Sequence, residues 1–150
     1  MLYLAHPLMM RREVRQWELE FEEKYGIDLL NPFYDGDAVE GNALDEGYDP
    51  NIDPDPKTGG DIVHRDLDLI RGCQGLLAFI ESEKHSVGTA MEIFFNSYIL
   101  DRPTYVISKT VTHHPWIRGL VSKRFIGTKD FERYIDNYGG KNGEIRQNNS

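Results

Sequence analysis

A single cysteine, Cys73, among 150 residues leaves no intrachain disulfide to form. A disulfide-stapled scaffold is excluded, and a reducing cytoplasm is the expected compartment. Between a predicted helix and a strand, Cys73 reads as a small buried hydrophobe. No apolar run approaches the ~20 residues that span a bilayer. Arg11 and Arg12 follow the first apolar run instead of preceding it, so a soluble chain without a signal peptide is expected. Basic residues are scarce, 17 Lys and Arg against 25 Asp and Glu, for a formal net charge of −8. Such a surface repels a polyanionic backbone, which argues against a nucleic-acid polymer as partner. A small nucleoside is not excluded, because stacking and a few placed hydrogen bonds suffice to hold it in a concave pocket. Neither a Walker loop nor a Rossmann glycine fingerprint is present, so no cofactor is implied. His113 and His114 beside Pro115 lack a second pair at ligand spacing, so no metal is expected.

What is there alternates between strand and helix patterns. Leu2-Tyr3-Leu4-Ala5 reads as a buried strand that breaks at Pro7. Arg11 to Tyr25 follows as a helix carrying Val14, Trp17, Leu19 and Phe21, ended by Gly26. Ile27 to Leu30 is a second strand. Phe33 to Gly60 is rich in Asp, Gly, Pro and Asn and has no period, as in a lid-like functional loop or a disordered one. Asp61 is placed to cap a helix reaching Ile70 or Arg71, and Gly75 to Ile80 is a continuous apolar strand. Ser86 is placed to cap a helix from Val87 to Leu100. Pro103 to Ile107, a short helix over Trp116 to Val121, a strand over Arg124 to Ile126 and a helix over Lys129 to Tyr138 complete the pattern. One domain over 1–138 and a disordered tail over 139–150 are expected. The alternation predicts a five-stranded parallel sheet with helices on both faces, whose ligands bind beyond the carboxyl ends of the strands. His6 to Arg12, the loop with the Asp61 helix, and Glu81 to Glu92 should converge there.

Two acids stand out. In the helix from Asp61, Asp66 shares a side with Ile62, Leu69 and Ile70, whereas Asp68 aligns with His64, Arg65 and Gly72 on a solvated side. A carboxylate within an apolar stripe needs a partner or a raised pKa, so Asp66 is either a proton-handling group or a structural hydrogen-bond acceptor. Glu92 interrupts Ala90, Met91, Ile93, Phe94 and Phe95, and its own side carries Gly88, Thr89 and Asn96. Those small residues allow close approach of a ligand, and the helix amino terminus favours an ionised Glu92. Two carboxylates on separate helices suit the division of labour of a retaining glycosidase, one attacking the anomeric carbon and the other managing the leaving group's proton.

The stretches Tyr3-Leu4-Ala5-His6-Pro7-Leu8, Asp61-Ile62-Val63-His64-Arg65-Asp66-Leu67 and Ser86-Val87-Gly88-Thr89-Ala90-Met91-Glu92-Ile93 resemble, in order and spacing, the nucleoside 2-deoxyribosyltransferase superfamily. That superfamily includes the 2′-deoxynucleoside 5′-monophosphate N-glycosidases. The resemblance covers most of residues 2–137 and implies a flavodoxin-like, Rossmann-like fold. By it, Glu92 matches the nucleophile that forms a covalent deoxyribosyl intermediate, Asp66 the acid that contacts the base, and Tyr3 the tyrosine that positions the nucleophile. His114 matches a polar residue reaching a neighbouring subunit's substrate, which implies a homo-oligomer, dimer or hexamer, with shared sites. Transferases of the family commonly place an aspartate for the sugar 5′-hydroxyl where this chain has Ser86. The hydrolases resemble the chain there, since a serine can donate to phosphate where an aspartate repels it; an ordinary helix cap is the other reading of Ser86. The hydrolases' phosphate-binding Ser and Arg of the first loop correspond to Pro7 and Met9, leaving His6, Arg11, Arg12 or His114 to compensate.

The expected function is therefore transfer of the sugar of a 2′-deoxynucleoside to another free nucleobase, a step of nucleotide salvage, with Glu92, Asp66 and Tyr3 as catalytic residues. Ser86, Gly88, His6, Met9 and His114 would contact substrate. Hydrolysis of a deoxynucleoside monophosphate is the near rival, and a nucleotide-binding sensor without catalysis the distant one.

Overall fold

The computed structural model describes residues 1–35 and 59–139. Five strands form one all-parallel sheet in the order β2-β1-β3-β4-β5: β1 is Leu2–Ala5, β2 Leu29–Leu30, β3 Gly75–Phe79, β4 Thr104–Ile107 and β5 Lys123–Phe125. This is the flavodoxin-like order, with its reversal point between β1 and β3. The helices are α1 (Arg11–Tyr25), α2 (Gly59–Gly72), α3 (Val87–Phe94), α4 (Pro115–Leu120) and α5 (Thr128–Tyr134). Because strand side chains alternate, Leu2, Leu4, Leu77, Phe79, Tyr105 and Ile107 pack against Val14 and Phe21 of α1 and Phe131 of α5. Tyr3, Ala5, Leu76, Ala78 and Val106 face the other way, onto Ile70 of α2, Ile93 of α3 and Ile117 of α4. Among the described residues no helix is long and apolar enough to cross a membrane.

Several element bounds differ from the sequence reading. The helix of Asp61 begins at Gly59, so Asp61 lies in its first turn and is not its cap. The second strand is only Leu29–Leu30, although Leu2 still donates its N–H to the Asp28 carbonyl at 3.2 Å. The helix from Val87 is α-helical to Phe94 and relaxes into a π-turn over Phe95–Ile99. The last helix behaves alike, with a π-turn over Ile135–Gly139, so Gly139, which the sequence reading put in the tail, is buried within this turn. Strands β3 and β4 are each a residue or so shorter than their apolar runs, β5 lies one residue earlier, and Ile126 is exposed. Leu19 faces solvent, and Glu18 takes the core-facing place beside Val14 and Phe21. Gly26 ends α1 in the left-handed conformation (φ 61°) that its lack of a side chain permits. Most of the Phe33 to Gly60 loop and residues 140–150 lie outside the described residues.

Candidate active site

The reversal between β1 and β3 opens one face of the sheet to the helices α2 and α3, and three side chains meet there. Tyr3, buried in β1, donates its hydroxyl to Glu92 Oε1 at 2.7 Å. Glu92 stands in the second turn of α3, on the side that carries the buried Thr89 and Asn96. Asp66 of α2 is within electrostatic reach of both. Thus the two acids singled out by helical spacing, and the tyrosine beside them, come together from three elements far apart in sequence.

Burial dominates the electrostatics of this cluster. It pushes the Glu92 carboxyl from its ordinary 4.5 up to about 8; the Tyr3 hydrogen bond and Arg65 pull it down, and the Asp66 charge adds to the rise. The sequence reading had the helix amino terminus keep Glu92 ionised. Desolvation outweighs that dipole here, so the carboxyl is largely protonated at neutral pH and loses its proton on the alkaline side. Tyr3 stays protonated throughout, raised by burial first and then by Glu92 and Asp66, so its hydroxyl remains a donor.

Arg65 is the residue that sequence reasoning missed. Its Nε donates to Asp66 Oδ1 at 2.9 Å, and only 24% of its side chain is exposed. Periodicity grouped it with Asp68, which is indeed solvated and paired with Arg71 at 2.6 Å. A long side chain can turn away from the direction its helical position assigns, and spacing carries no signal of that. Glu18 was missed as well, although it lies four residues from Val14 and three from Phe21, and the test that found Asp66 would have picked it out. It is fully buried, accepts from Asn31 Nδ2 at 2.8 Å and pairs with Arg15 at 3.1 Å. Burial raises it to about 7 against the pull of those two partners.

The remaining candidates divide. His6 is buried, with Nδ1 3.2 Å from the Pro7 carbonyl and Nε2 3.1 Å from Asn31 Oδ1, and its ring lies 4.9 Å from that of Phe33. Burial lowers its pKa. It therefore braces the first loop against the Asn31 turn and is not presented to a substrate, contrary to the expectation. Ser86 caps α3, its Oγ accepting from Thr89 N–H at 3.1 Å and lying 2.7 Å from Thr89 Oγ1. Gly88 is exposed, and a side chain built there would meet little beyond Ser86 Oγ at 4.0 Å, so the space over the first turn is open. Met9 is exposed in the first loop. His114 caps α4 through Nδ1 and is exposed, away from the Glu92 cluster's own hydrogen bonds. A groove of about 910 Å³ lies on the opposite face, floored by Val14, Trp17, Phe79 and Ile107. Two ion pairs cross its rim, Lys84 with Glu13 and Arg133 with Asp130, and it contains none of the cluster. Among the described residues no three His, Cys, Asp or Glu side chains gather to hold a metal ion.

No family model and no curated protein matches the sequence. Solved structures do match in fold. A 2-deoxyribosyltransferase from the psychrotolerant bacterium Bacillus psychrosaccharolyticus, described as a biocatalyst for the synthesis of antiviral and antitumoral nucleosides, superimposes with a TM-score of 0.64. The match has 22% identity and covers 89% of this chain and 90% of that one. A 2-deoxyribosyltransferase from Leishmania mexicana gives a TM-score of 0.58 at 14% identity, over 91% of this chain and 97% of that one. Along nearly its whole length, the chain has the fold of these 2-deoxyribosyltransferases.

Proposed function

We propose that the protein is a nucleoside 2-deoxyribosyltransferase. The observation that carries this reading is the hydrogen bond from Tyr3 to Glu92 in a half-buried cluster shared with Asp66. A fold common to two such enzymes supports it. In the proposed cycle the Glu92 carboxylate attacks C1′ of a 2′-deoxynucleoside. The C1′–N bond breaks, its electron pair leaves on the base, and Asp66 or a water beside it returns a proton to that nitrogen. A nitrogen of a second base then attacks C1′ from the original face, Glu92 departs as carboxylate, and the incoming base sheds its proton to the site, with net retention. Tyr3 holds Glu92 in line and shares its negative charge.

Ser86, Gly88 and Met9 frame the sugar side in this reading, and His114 completes the site of a neighbouring subunit in a homo-oligomer. Exposed Val87, Met91 and Tyr98 recur along α3 and its π-turn at spacings of four and seven, an apolar stripe that suits burial against a second copy. Hydrolysis of a deoxynucleoside monophosphate is favoured less, because Pro7 and Met9 bring no cation to the first loop and His6 is buried, which leaves Arg11, whose Nη1 donates to the Leu8 carbonyl at 3.3 Å, as a cation at that loop. Incubation with deoxyadenosine plus a free pyrimidine base, and separately with a deoxynucleoside monophosphate, distinguishes the readings by chromatography. Base exchange without free sugar is expected. Free deoxyribose phosphate would favour the hydrolase, and absence of any turnover, the sensor.

A further inference from the structure

Two acids and a phenol meet in one half-buried cluster, and two carboxylates so placed cannot both ionise without a cation. Around Glu92, among the described residues, the charged or titratable neighbours are Tyr3 from β1 and Asp66 and Arg65 from α2; its own helix brings none. Arg65 is the cation of this set. Consecutive residues on a helix project about 100° apart and do not face each other. The 2.9 Å contact between Arg65 Nε and Asp66 Oδ1 therefore turns the two side chains towards each other, and the Arg65 charge is felt at Glu92. Both partners are mostly withdrawn from water, with 24% and 18% of their side chains exposed, where such a pair is worth more than on an open surface.

We propose that Arg65, turned onto Asp66, is a positioning residue that divides the two acids: it orients Asp66 towards the base and offsets the Asp66 charge at Glu92, so that Glu92 can ionise as the nucleophile while the base's proton is handled at Asp66. The guanidinium makes no bond to the reacting atoms in this role. It acts through Asp66, whose charge it offsets, and through its own field at Glu92. With a neutral residue at position 65, the Asp66 charge would act on Glu92 without the offsetting field of the guanidinium.

The assignment rests on the transferase reading for its kinetic arm only. Glu92 is observed directly by carbon-13 NMR of protein labelled at its glutamate carboxyls, the signal identified by its loss in Glu92→Gln. In Arg65→Gln the Glu92 midpoint is expected to rise by on the order of one pH unit. Arg65→Lys should bring the midpoint most of the way back, and Arg65→Gln combined with Asp66→Asn should return it towards or below that of the parent. With a deoxynucleoside, the acid limb of kcat/KM should move to higher pH in parallel, a loss of about tenfold at neutral pH for each pH unit, while the high-pH plateau stays within a few-fold of the parent. An unmoved midpoint in folded Arg65→Gln overturns the assignment, as does a lowered plateau without a displaced limb. If no deoxynucleoside is turned over, the function is wrong, yet the titration still decides the role of Arg65.

Discussion

In its proposed role as nucleophile, Glu92 carries a conflict between stability and chemistry that single substitutions can expose. Its folded value of about 8 stands above the ordinary 4.5, so the folded chain holds a proton there that the unfolded chain has released. The associated stability is complete below pH 4.5 and is lost as pH rises to about 8. Glu92→Gln keeps an acceptor for Tyr3 and removes the ionisation. It should abolish turnover and stabilise the fold by roughly 3 kcal/mol at pH 7, with the difference vanishing below pH 4.5; denaturant melts at both pH values check this. Tyr3→Phe removes a hydrogen bond that lowers the Glu92 pKa. Its acid limb should move to higher pH, and each pH unit of that movement costs about tenfold in rate at neutral pH, readable in a pH–rate profile. At this scale helical spacing singled out Asp66 and Glu92 as acids within apolar stripes, and the fold brings the two together beside Tyr3. Spacing could not show Arg65, whose side chain leaves its assigned side, nor that burial would overcome the helix dipole at Glu92. His6 was misjudged because a histidine beyond a strand end resembles a ligand until its two nitrogens are seen to face Pro7 and Asn31.

Among the elements, α3 links capping to specificity. Ser86 secures the first turn through Thr89, so Ser86→Ala should cost about 1 kcal/mol and loosen the turn that presents Gly88. Ser86→Asp preserves the cap, since aspartate caps as well as serine, and isolates the chemistry of the substrate's 5′ end. The proposed function expects it to keep activity on deoxynucleosides and to lower any activity on monophosphates, measured as the ratio of initial rates. The caps and stops were legible where one residue decides the geometry, as at Gly26 and Ser86. The π-turns that close α3 and α5 were not, because Phe95–Ile99 and Ile135–Gly139 retain apolar residues at spacings that an α-helix would also use. The brevity of β2 was hidden for a similar reason. Ile27 is buried and apolar like a strand residue, yet only Leu29 and Leu30 pair with β1.

For the whole molecule, the strand and helix alternation was enough to anticipate a parallel sheet with both faces covered. Partners in a larger assembly leave a fainter trace. The exposed stripe of Val87, Met91 and Tyr98 on α3 and its π-turn is the feature that a second copy would cover. Under the proposed homo-oligomer, Met91→Lys should shift sedimentation towards the monomer, leaving the monomer's fold intact by circular dichroism. Activity should fall with assembly if His114 serves a neighbouring site. The chemistry itself is tested most directly by mixing the protein with a 2′-deoxynucleoside at alkaline pH, quenching within one turnover and mapping the adduct by peptide mass spectrometry. A single deoxyribosyl unit on the peptide and side chain of Glu92 is the expected result; the same unit on Asp66, or turnover that survives Glu92→Ala, would contradict it.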